Sequence, residues 1–289
     1  MKKKFYLLIS FLISVSVFCN AQIKYEFENQ EYYFCAYYDD LRSPPFKFSF
    51  YEGIFFIDIP EIDNEKIEEG KPIKDHIIGK YKTMNKDGLT YISVENKTYL
   101  VLYQKEIICV LIDCSNNEAF FGLNKNSQYV SVGNGMKPFI GITGQWTDSR
   151  RVSSFLTEYV RGKEIKYDGS KEKYYYELTK PWVEGVEGNG INEWIEIEPF
   201  GKVCGIVFFN GYIDPNRPDL FYANSRIKEI KINSNQGEFN FQIKDTPCPQ
   251  ILSFPNSFDG KLRLTIKDVY EGIKYSDTSL AGIYFLMVR

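Results

Sequence analysis

Three glutamates in and beside a glycine-rich stretch are the side chains with the clearest potential for chemistry. Glu184, Glu187 and Glu193 lie between Pro181 and Glu198, where three glycines occur within six residues. A pair of carboxylates can hydrolyse a glycosidic bond, one as acid and the other as base or nucleophile. The same carboxylates can instead be solvated or can hydrogen-bond within the loop, so the spacing alone leaves both interpretations open.

The other reactive residue types do not form a recognisable catalytic or metal-binding pattern. The only histidine, His76, has no Gly-x-Ser-x-Gly motif to accompany it in a hydrolase triad. Of the six cysteines, Cys109 and Cys114 share one predicted strand, where they face opposite sides, about 16 Å apart. The sequence contains no Cys-x-x-Cys pair of the kind that binds zinc. The sequence also contains no Asp-x-Asp-x-Asp loop of the kind that binds calcium, although a calcium site that uses Asp259 or Asp277 stays open. We expect no cofactor.

The first 21 residues have the features of a signal peptide. Lys2-Lys3-Lys4 precede an uncharged apolar run from Phe5 to Phe18, and Ala21 ends a predicted cleavage site. The run is shorter than the roughly 20 residues that a membrane-spanning helix needs. We therefore predict export to the periplasm or the medium, with no membrane span. The alternative is a lipid anchor on Cys19, which the bulky preceding Phe18 disfavours.

Residues 22–135 predict an N-terminal β domain. Aromatic residues make up 17% of the chain, which is typical of sheets. Short strands are predicted at Phe46–Phe50, Ile54–Ile59, Leu89–Val94, Tyr99–Tyr103 and Ile107–Asp113, with turns at Asp87-Gly88 and Asn96-Lys97 between the later ones. Because these strands are apolar on both faces, the sequence predicts a small barrel or a sandwich-like meander, with a filled core favoured over a ligand cavity.

Residues 149–289 predict a second β domain. The glycine-rich stretch from Gln128 to Asp148 separates the two domains, and we place the linker at residues 136–148. Apolar and polar residues alternate in Glu238–Ile243 and in Lys261–Ile266, as in half-buried strands. Ile283 to Val288 is apolar on both faces, which predicts a central strand. No long amphipathic helix is evident, so the fold class is all-β.

The second domain resembles a known family in four motifs. These are Trp182-Val183-Glu184-Gly185 with Gly188, Gly190-Ile191 and Glu193-Trp194-Ile195-Glu196; Asn210-Gly211-Tyr212; Asn224-Ser225-Arg226-Ile227-Lys228; and Asp268 to Thr278. They resemble the jelly-roll domain that precedes the catalytic domain of streptococcal NAD glycohydrolases, a translocation module similar to coagulation-factor type C (discoidin-like) domains. The catalytic domain is not the part resembled, so NAD hydrolysis is not implied. Gly282 replaces an acidic residue of related domains, which puts in doubt any contact that this residue makes.

The resemblance implies binding by the loops at one end of a jelly roll, so we interpret the glutamates as binding or hydrogen-bonding groups. A sugar site needs an aromatic face and convergent polar groups. The matched motifs supply Trp182, Glu184, Glu187, Asn210, Tyr212, Asn224, Arg226, Tyr275 and Asp277. Among these, Tyr212 is the predicted exposed platform.

The sequence therefore predicts an exported, non-enzymatic binding protein. Its jelly roll is expected to recognise a glycan or a cell-surface partner. A net charge of −3 without a basic run argues against nucleic acid. The alternatives are a carbohydrate-active hydrolase that uses the loop carboxylates and a structural envelope protein that binds another protein by strand pairing. Neither the ligand nor the oligomeric state follows from the sequence.

Overall fold

The computed structural model describes residues 25–34, 47–60, 73–127, 142–143, 150–170, 177–199 and 201–287. The regular structure of these residues consists of strands and the four-residue helix α1 (Leu220–Ala223), which confirms the all-β class. The first eight strands are β1 (Gln30–Phe34), β2 (Lys47–Tyr51), β3 (Ile54–Pro60), β4 (Ile73–Lys86), β5 (Leu89–Val94), β6 (Lys97–Gln104), β7 (Ile108–Asp113) and β8 (Ala119–Asn124).

These eight strands form a closed antiparallel barrel, because β1 pairs with both β2 and β8. Its interior is filled by side chains that are at most 1% exposed, among them Phe27, Tyr32, Phe48, Phe50 and Phe55. Their rings contact one another at centroid distances of 4.8 to 6.4 Å. The barrel is therefore a packed core, as the sequence favoured.

One predicted hairpin turn of the barrel lies where the sequence placed it, and the next lies one residue earlier. Asp87 and Gly88 adopt φ values of 51° and 79°, as a tight two-residue hairpin turn requires. The next turn lies at Glu95-Asn96, so β6 begins at Lys97, two residues earlier than predicted.

The remaining strands build the C-terminal domain. They are β9 (Ile142–Thr143), β10 (Arg151–Val152), β11 (Thr157–Val160), β12 (Lys163–Lys166), β13 (Trp182–Val183), β14 (Trp194–Ile197), β15 (Val203–Asn210), β16 (Ser225–Ser234), β17 (Gly237–Gln242), β18 (Gln250–Phe258), β19 (Leu262–Tyr270) and β20 (Thr278–Met287). The main sheet has the order β10-β14-β19-β16-β20-β15-β18 and curls into a jelly-roll sandwich around one apolar core.

Strand β14 is shorter than the sequence predicted. Ile195 and Ile197 face the core, but Ile191 lies in a turn before the strand and is 45% exposed. Asn192 beside it has a φ of 76°, which breaks the alternation that the isoleucine spacing indicated.

The barrel packs directly against the jelly roll. In β15, Ile206 and Phe208 face the sandwich core, while Val207 and Phe209 face the barrel. The barrel contributes Phe121, whose ring centroid lies 5.4 Å from that of Phe209 and 4.7 Å from that of Tyr284. Strand β20 is central, as predicted, and it is apolar on both faces because each face is covered.

The predicted boundary between the domains falls largely outside the described residues. Within the predicted linker, Ile142 and Thr143 form β9, which pairs with β20. The domain boundaries stay a prediction, and the predicted signal peptide also lies outside the described residues. The described part of the chain contains no helix with the length and apolarity that a bilayer crossing requires.

The described cysteines are free thiols. Cys109 faces the barrel interior, whereas Cys114 packs on the outer face of the barrel. The two thiols point to opposite sides, but Cys114 lies in the turn after β7 and not in the same strand as predicted. Cys204 is only half-buried, in contrast to the buried thiol that its apolar strand suggested. Its Sγ lies 3.4 Å from the carbonyl oxygen of Leu286.

Candidate functional site

Three connections meet at one end of the jelly roll: the loop after β13, the loop between β15 and β16, and the loop between β19 and β20. The hydroxyl of Thr278 donates to the carbonyl of Asn189 at 2.7 Å. The N–H of Tyr275 donates to the carbonyl of Ala223 at 2.8 Å. The matched motifs are therefore brought together in space, although they are far apart in sequence.

Three of the predicted binding residues are buried and act as structural connections. Trp182 is 2% exposed and donates from Nε1 to the carbonyl of Ser154 at 2.8 Å. Asn210 is fully buried; its amide donates to the carbonyl of Ile227 and accepts from the N–H groups of Gly211 and Ile227. Asn224 donates to the carbonyl of Leu220 at the end of α1. Burial leaves these side chains no face for a ligand, which corrects their predicted role.

Arg226 is also a structural residue. It is 5% exposed, and its Nε and Nη2 donate to the two carboxylate oxygens of Asp245 at 2.9 and 2.8 Å. Its Nη1 donates to the carbonyls of Asn224 and Glu271 at 2.8 and 3.2 Å. The guanidinium also lies over the ring of Tyr222, 5.4 Å from its centroid. Arg226 thus connects three loops and has no free fork for a ligand.

Glu184 is fully buried and organises the glycine-rich loop. Its Oε1 accepts from the N–H of Thr278 at 3.1 Å, and its Oε2 accepts from the N–H of Val186 at 2.9 Å. Gly190, at a φ of +67°, passes so close that a Cβ there would lie 2.4 Å from Cγ of Glu184. The carboxylate and the glycine are therefore one packing unit, and Glu184 cannot reach a substrate.

The surroundings of Glu184 set its protonation. Burial raises its pKa above 4.5, and the two backbone N–H donors oppose this shift. The folded chain consequently holds this proton more tightly than the unfolded chain. The contribution of Glu184 to stability therefore falls as the pH rises from 4.5 through its folded pKa.

Replacing Glu184 with Gln tests this interpretation. The amide keeps one acceptor but turns a donor toward the second buried N–H, so we expect stability at pH 7 to fall by about 1–3 kcal/mol. Urea unfolding at several pH values measures the change, with Glu187→Gln as the exposed control. Equal stability of the wild type and Glu184→Gln would contradict the structural role of this carboxylate.

Four predicted residues have exposed or half-exposed side chains. Glu187 is exposed in the glycine-rich loop, and Tyr275 is 39% exposed. Asp277 is half-buried, and its carbonyl accepts from the N–H of Ser225. Tyr212 is half-buried rather than a fully exposed platform, because its ring contacts the edge of Tyr167 at a centroid distance of 6.4 Å.

The structure adds neighbours that the sequence analysis missed. Arg217 and Asp219, in the loop between β15 and β16, form a two-pronged pair with distances of 2.9 Å from Nε to Oδ1 and 2.8 Å from Nη2 to Oδ2. Lys274 lies over Tyr275, with Nζ 4.8 Å from the ring centroid. We call the following residues the loop-end surface: Tyr167, Tyr212, Arg217, Asp219, Lys274 and Tyr275. The run Asp214-Pro215-Asn216-Arg217-Pro218-Asp219 was the available signal, since two prolines fix a charged loop.

Charges on the loop-end surface influence one another. Hydrogen bonding to Asp219 raises the pKa of Arg217, and an electrostatic interaction with Tyr275 acts in the same direction. Hydrogen bonding to Arg217 lowers the pKa of Asp219, and the positive charge of Lys274 lowers it further. Burial raises the pKa of Tyr212. The surface thus combines aromatic rings with two cationic side chains and one carboxylate.

One small cavity lies inside the described part of the jelly roll. A cavity lined by Trp182, Phe208, Leu264 and neighbouring residues has a volume of about 10 Å³, the space of about one water molecule. Among the described residues, no group of three or more His, Cys, Asp or Glu side chains is arranged to hold a metal ion.

Comparison with solved structures finds matches at low sequence identity. The family 32 carbohydrate-binding module of C. perfringens NanJ, solved with galactose, is 12% identical, with 48% of this chain and 92% of that chain covered and a TM-score of 0.32. The family 32 module of AlyQ, solved with 4,5-unsaturated mannuronic acid, is 10% identical, covers 50% of this chain and 97% of that chain, and has a TM-score of 0.32. A mutant lectin domain of lectinolysin, solved with Lewis b, is 12% identical. The match covers 55% of this chain and 99% of that chain, and its TM-score is 0.31.

The comparison with curated proteins found no match. The comparison with family profiles matched residues 147–286 to the NAD glycohydrolase translocation F5/8 type C domain. That range contains all four sequence motifs and all the jelly-roll strands from β10 to β19. The C-terminal half of this chain therefore resembles the NAD glycohydrolase translocation F5/8 type C domain, a discoidin-like jelly roll.

Proposed function

We propose that this chain is an exported, non-enzymatic binding protein whose jelly roll recognises a glycan through the loop-end surface. One observation carries the proposal: the N–H groups of Lys274 and Tyr275 donate to the carbonyl of Ala223, which holds the loop between β19 and β20 beside the loop that carries Tyr212 and the Arg217–Asp219 pair. The type C domain profile that matches this half supports a binding role.

The chemistry of the surface suits a neutral sugar. An aromatic ring offers a flat face for the C–H groups of a pyranose, and polar groups around it satisfy the hydroxyls. Beyond their mutual pair, Arg217 keeps further N–H donors and Asp219 keeps further acceptor sites, and Lys274 adds an ammonium donor. Because the charges of both signs are interspersed, the surface has no single-sign field that would favour a polyanion.

A glycan array with the full-length mature chain tests the proposal. We expect Tyr275→Ala to weaken binding to the array-positive glycan by about tenfold, since one ring contact contributes about 1.4 kcal/mol. Tyr51→Ala is the matched control, because Tyr51 is 62% exposed on the barrel. Failure to bind any glycan, or equal binding by Tyr275→Ala, would contradict the proposal. Release of reducing ends from the bound glycan would support the hydrolase alternative instead.

Export belongs to the same proposal, and residues 1–21 support it. The lysines, the apolar run and Ala21 predict a mature chain that begins at Gln22. N-terminal sequencing of the protein recovered outside the cytoplasm measures this. A mature chain that begins with lipid-modified Cys19 would replace the cleavage prediction with an anchored form.

A protein partner is the second candidate, and the hairpin of β11 and β12 favours it. All eight strand residues are exposed, and Tyr159 reaches 75% exposure. Among the described strands, these two pair only with each other, so their outer edges can accept another strand. Pull-down of a cell-surface protein that is lost with Tyr159→Ala, while glycan binding is absent, would favour this candidate.

A further inference from the structure

Residues 211–219, which carry Tyr212, Arg217 and Asp219, lie between the jelly roll and the barrel. Ile213 within this segment is 2% exposed and belongs to the apolar cluster that the two domains share. Pro215 and Pro218 are buried as well. The segment is therefore packed on one side, and only its polar tips reach solvent.

Tyr91 of the barrel contacts this segment directly. Its side chain is 3% exposed, and its hydroxyl donates to the carbonyl of Pro215 at 3.0 Å. Burial raises the pKa of Tyr91 to about 12, so the hydroxyl stays protonated and keeps donating across the physiological pH range. This bond fixes the backbone two residues before Arg217.

Asn216 makes the second connection to the barrel. Its Nδ2 donates to the carbonyl of Cys114 at 3.1 Å. Cys114 lies in a turn that is itself held, because its N–H donates to the carbonyl of Thr98 at 2.9 Å and the carboxylate of Asp113 accepts from Ser115 at 2.6 and 2.8 Å. The barrel thus presents a rigid anchor to residue 216.

The loop completes its own fold between these two anchors. The side chain of Asp214 accepts from the N–H groups of Asn216 and Arg217 at 2.8 and 3.2 Å. The side chain of Arg217 then extends away from the loop and pairs with Asp219, and both side chains are more than half exposed. An exposed pair contributes little rigidity of its own, so its direction is set by the backbone beneath it.

From these contacts we propose that the barrel is part of the recognition apparatus, with Tyr91 and Asn216 as positioning residues for Arg217 and Asp219. This inference builds on the proposed glycan site. It gives the N-terminal domain a task, because a loop fixed before binding loses less conformational entropy when the ligand binds. The jelly roll alone then supplies the contacts but not their full pre-organisation.

Tyr91→Phe in the full chain tests the inference, because it removes one hydroxyl and leaves the ring in place. Tyr81→Phe is the control, since it removes a barrel hydroxyl that bonds to Glu28, in the barrel itself. Hydrogen exchange measured without ligand should be about fivefold faster at the amides of Asn216 and Arg217 in Tyr91→Phe, as loss of one hydrogen bond predicts. Exchange in β16 and β19 should be unchanged, and Tyr81→Phe should match the wild type.

Binding to an array-positive glycan provides the second readout. Tyr91→Phe should weaken glycan binding by about fivefold, the same factor as for exchange. Adding Asn216→Ala to this variant should weaken binding further. Unchanged exchange at Asn216 and Arg217, or faster exchange with unchanged affinity, would overturn the positioning role. If no glycan binds, the proposed function fails, and the exchange measurement alone then decides whether the barrel fixes this loop.

Discussion

Arg226→Ala is expected to destabilise the folded chain by about 3 kcal/mol, because the buried guanidinium makes charge-assisted hydrogen bonds to a partly exposed carboxylate and to buried carbonyls. The substitution leaves Asp245 without its two-pronged partner and deprives the carbonyls of Asn224 and Glu271 of their donor. Because the guanidinium connects the loops below the loop-end surface, glycan binding should fall as well. Urea unfolding followed by tryptophan fluorescence measures the stability change.

Arg226→Lys is the informative comparison. Lysine keeps the positive charge but cannot reproduce the planar fork, so most of the loss should persist. If lysine restored wild-type stability, charge alone would account for the role of Arg226, and the geometric account would be contradicted.

Phe121→Ala is expected to have an effect of similar or greater size, about 3–5 kcal/mol. Phe121 is 1% exposed and inserts its ring between the barrel and the jelly roll, against Phe209 and Tyr284. Its removal opens a cavity in the shared apolar cluster. The barrel and jelly roll should then lose their common unfolding transition.

Two spectroscopic probes distinguish the domains in this experiment. The chain has three tryptophans, Trp146, Trp182 and Trp194, and none lies in the barrel strands. In the wild type, tryptophan fluorescence and far-UV circular dichroism should give coincident transitions, whereas in Phe121→Ala they should separate. Tyr51→Ala, on the exposed barrel face, should change stability by no more than about 0.5 kcal/mol. Separate wild-type transitions would contradict a coupled interface.

The fold was largely predictable because the alternation of side chains reports burial directly. Strands β5, β7 and β20 are apolar on both faces, and in the structure each face packs into an apolar cluster. The sequence could not reveal that one of the two faces packs against the other domain. A strand buried by its own barrel or sandwich and a strand buried at an interface have the same pattern.

Gly282 illustrates the same limit. A Cβ at this position would lie 2.8 Å from the ring of Tyr284 and 3.1 Å from Leu178. The missing side chain therefore makes room for Tyr284, which packs against Phe121 of the barrel. The departure from related domains coincides with the surface on which this chain packs its barrel.

The candidate site was harder to predict because motif residues serve two purposes. Trp182, Glu184, Asn210, Asn224 and Arg226 lie at the correct end of the domain, but they satisfy buried backbone groups there. A sequence does not distinguish a polar side chain that faces a loop backbone from one that faces solvent. The exposed pair Arg217–Asp219 lies between the matched motifs and was therefore missed.

Hydrogen exchange of the full-length chain with and without its array-positive glycan tests the central claim most directly. The account predicts slower exchange within residues 211–219 and 271–277, with no change in the barrel interior or in β14 and β19. Protection confined to the barrel, to the β11–β12 hairpin or to the strand carrying Trp194 would contradict recognition by the loop-end surface.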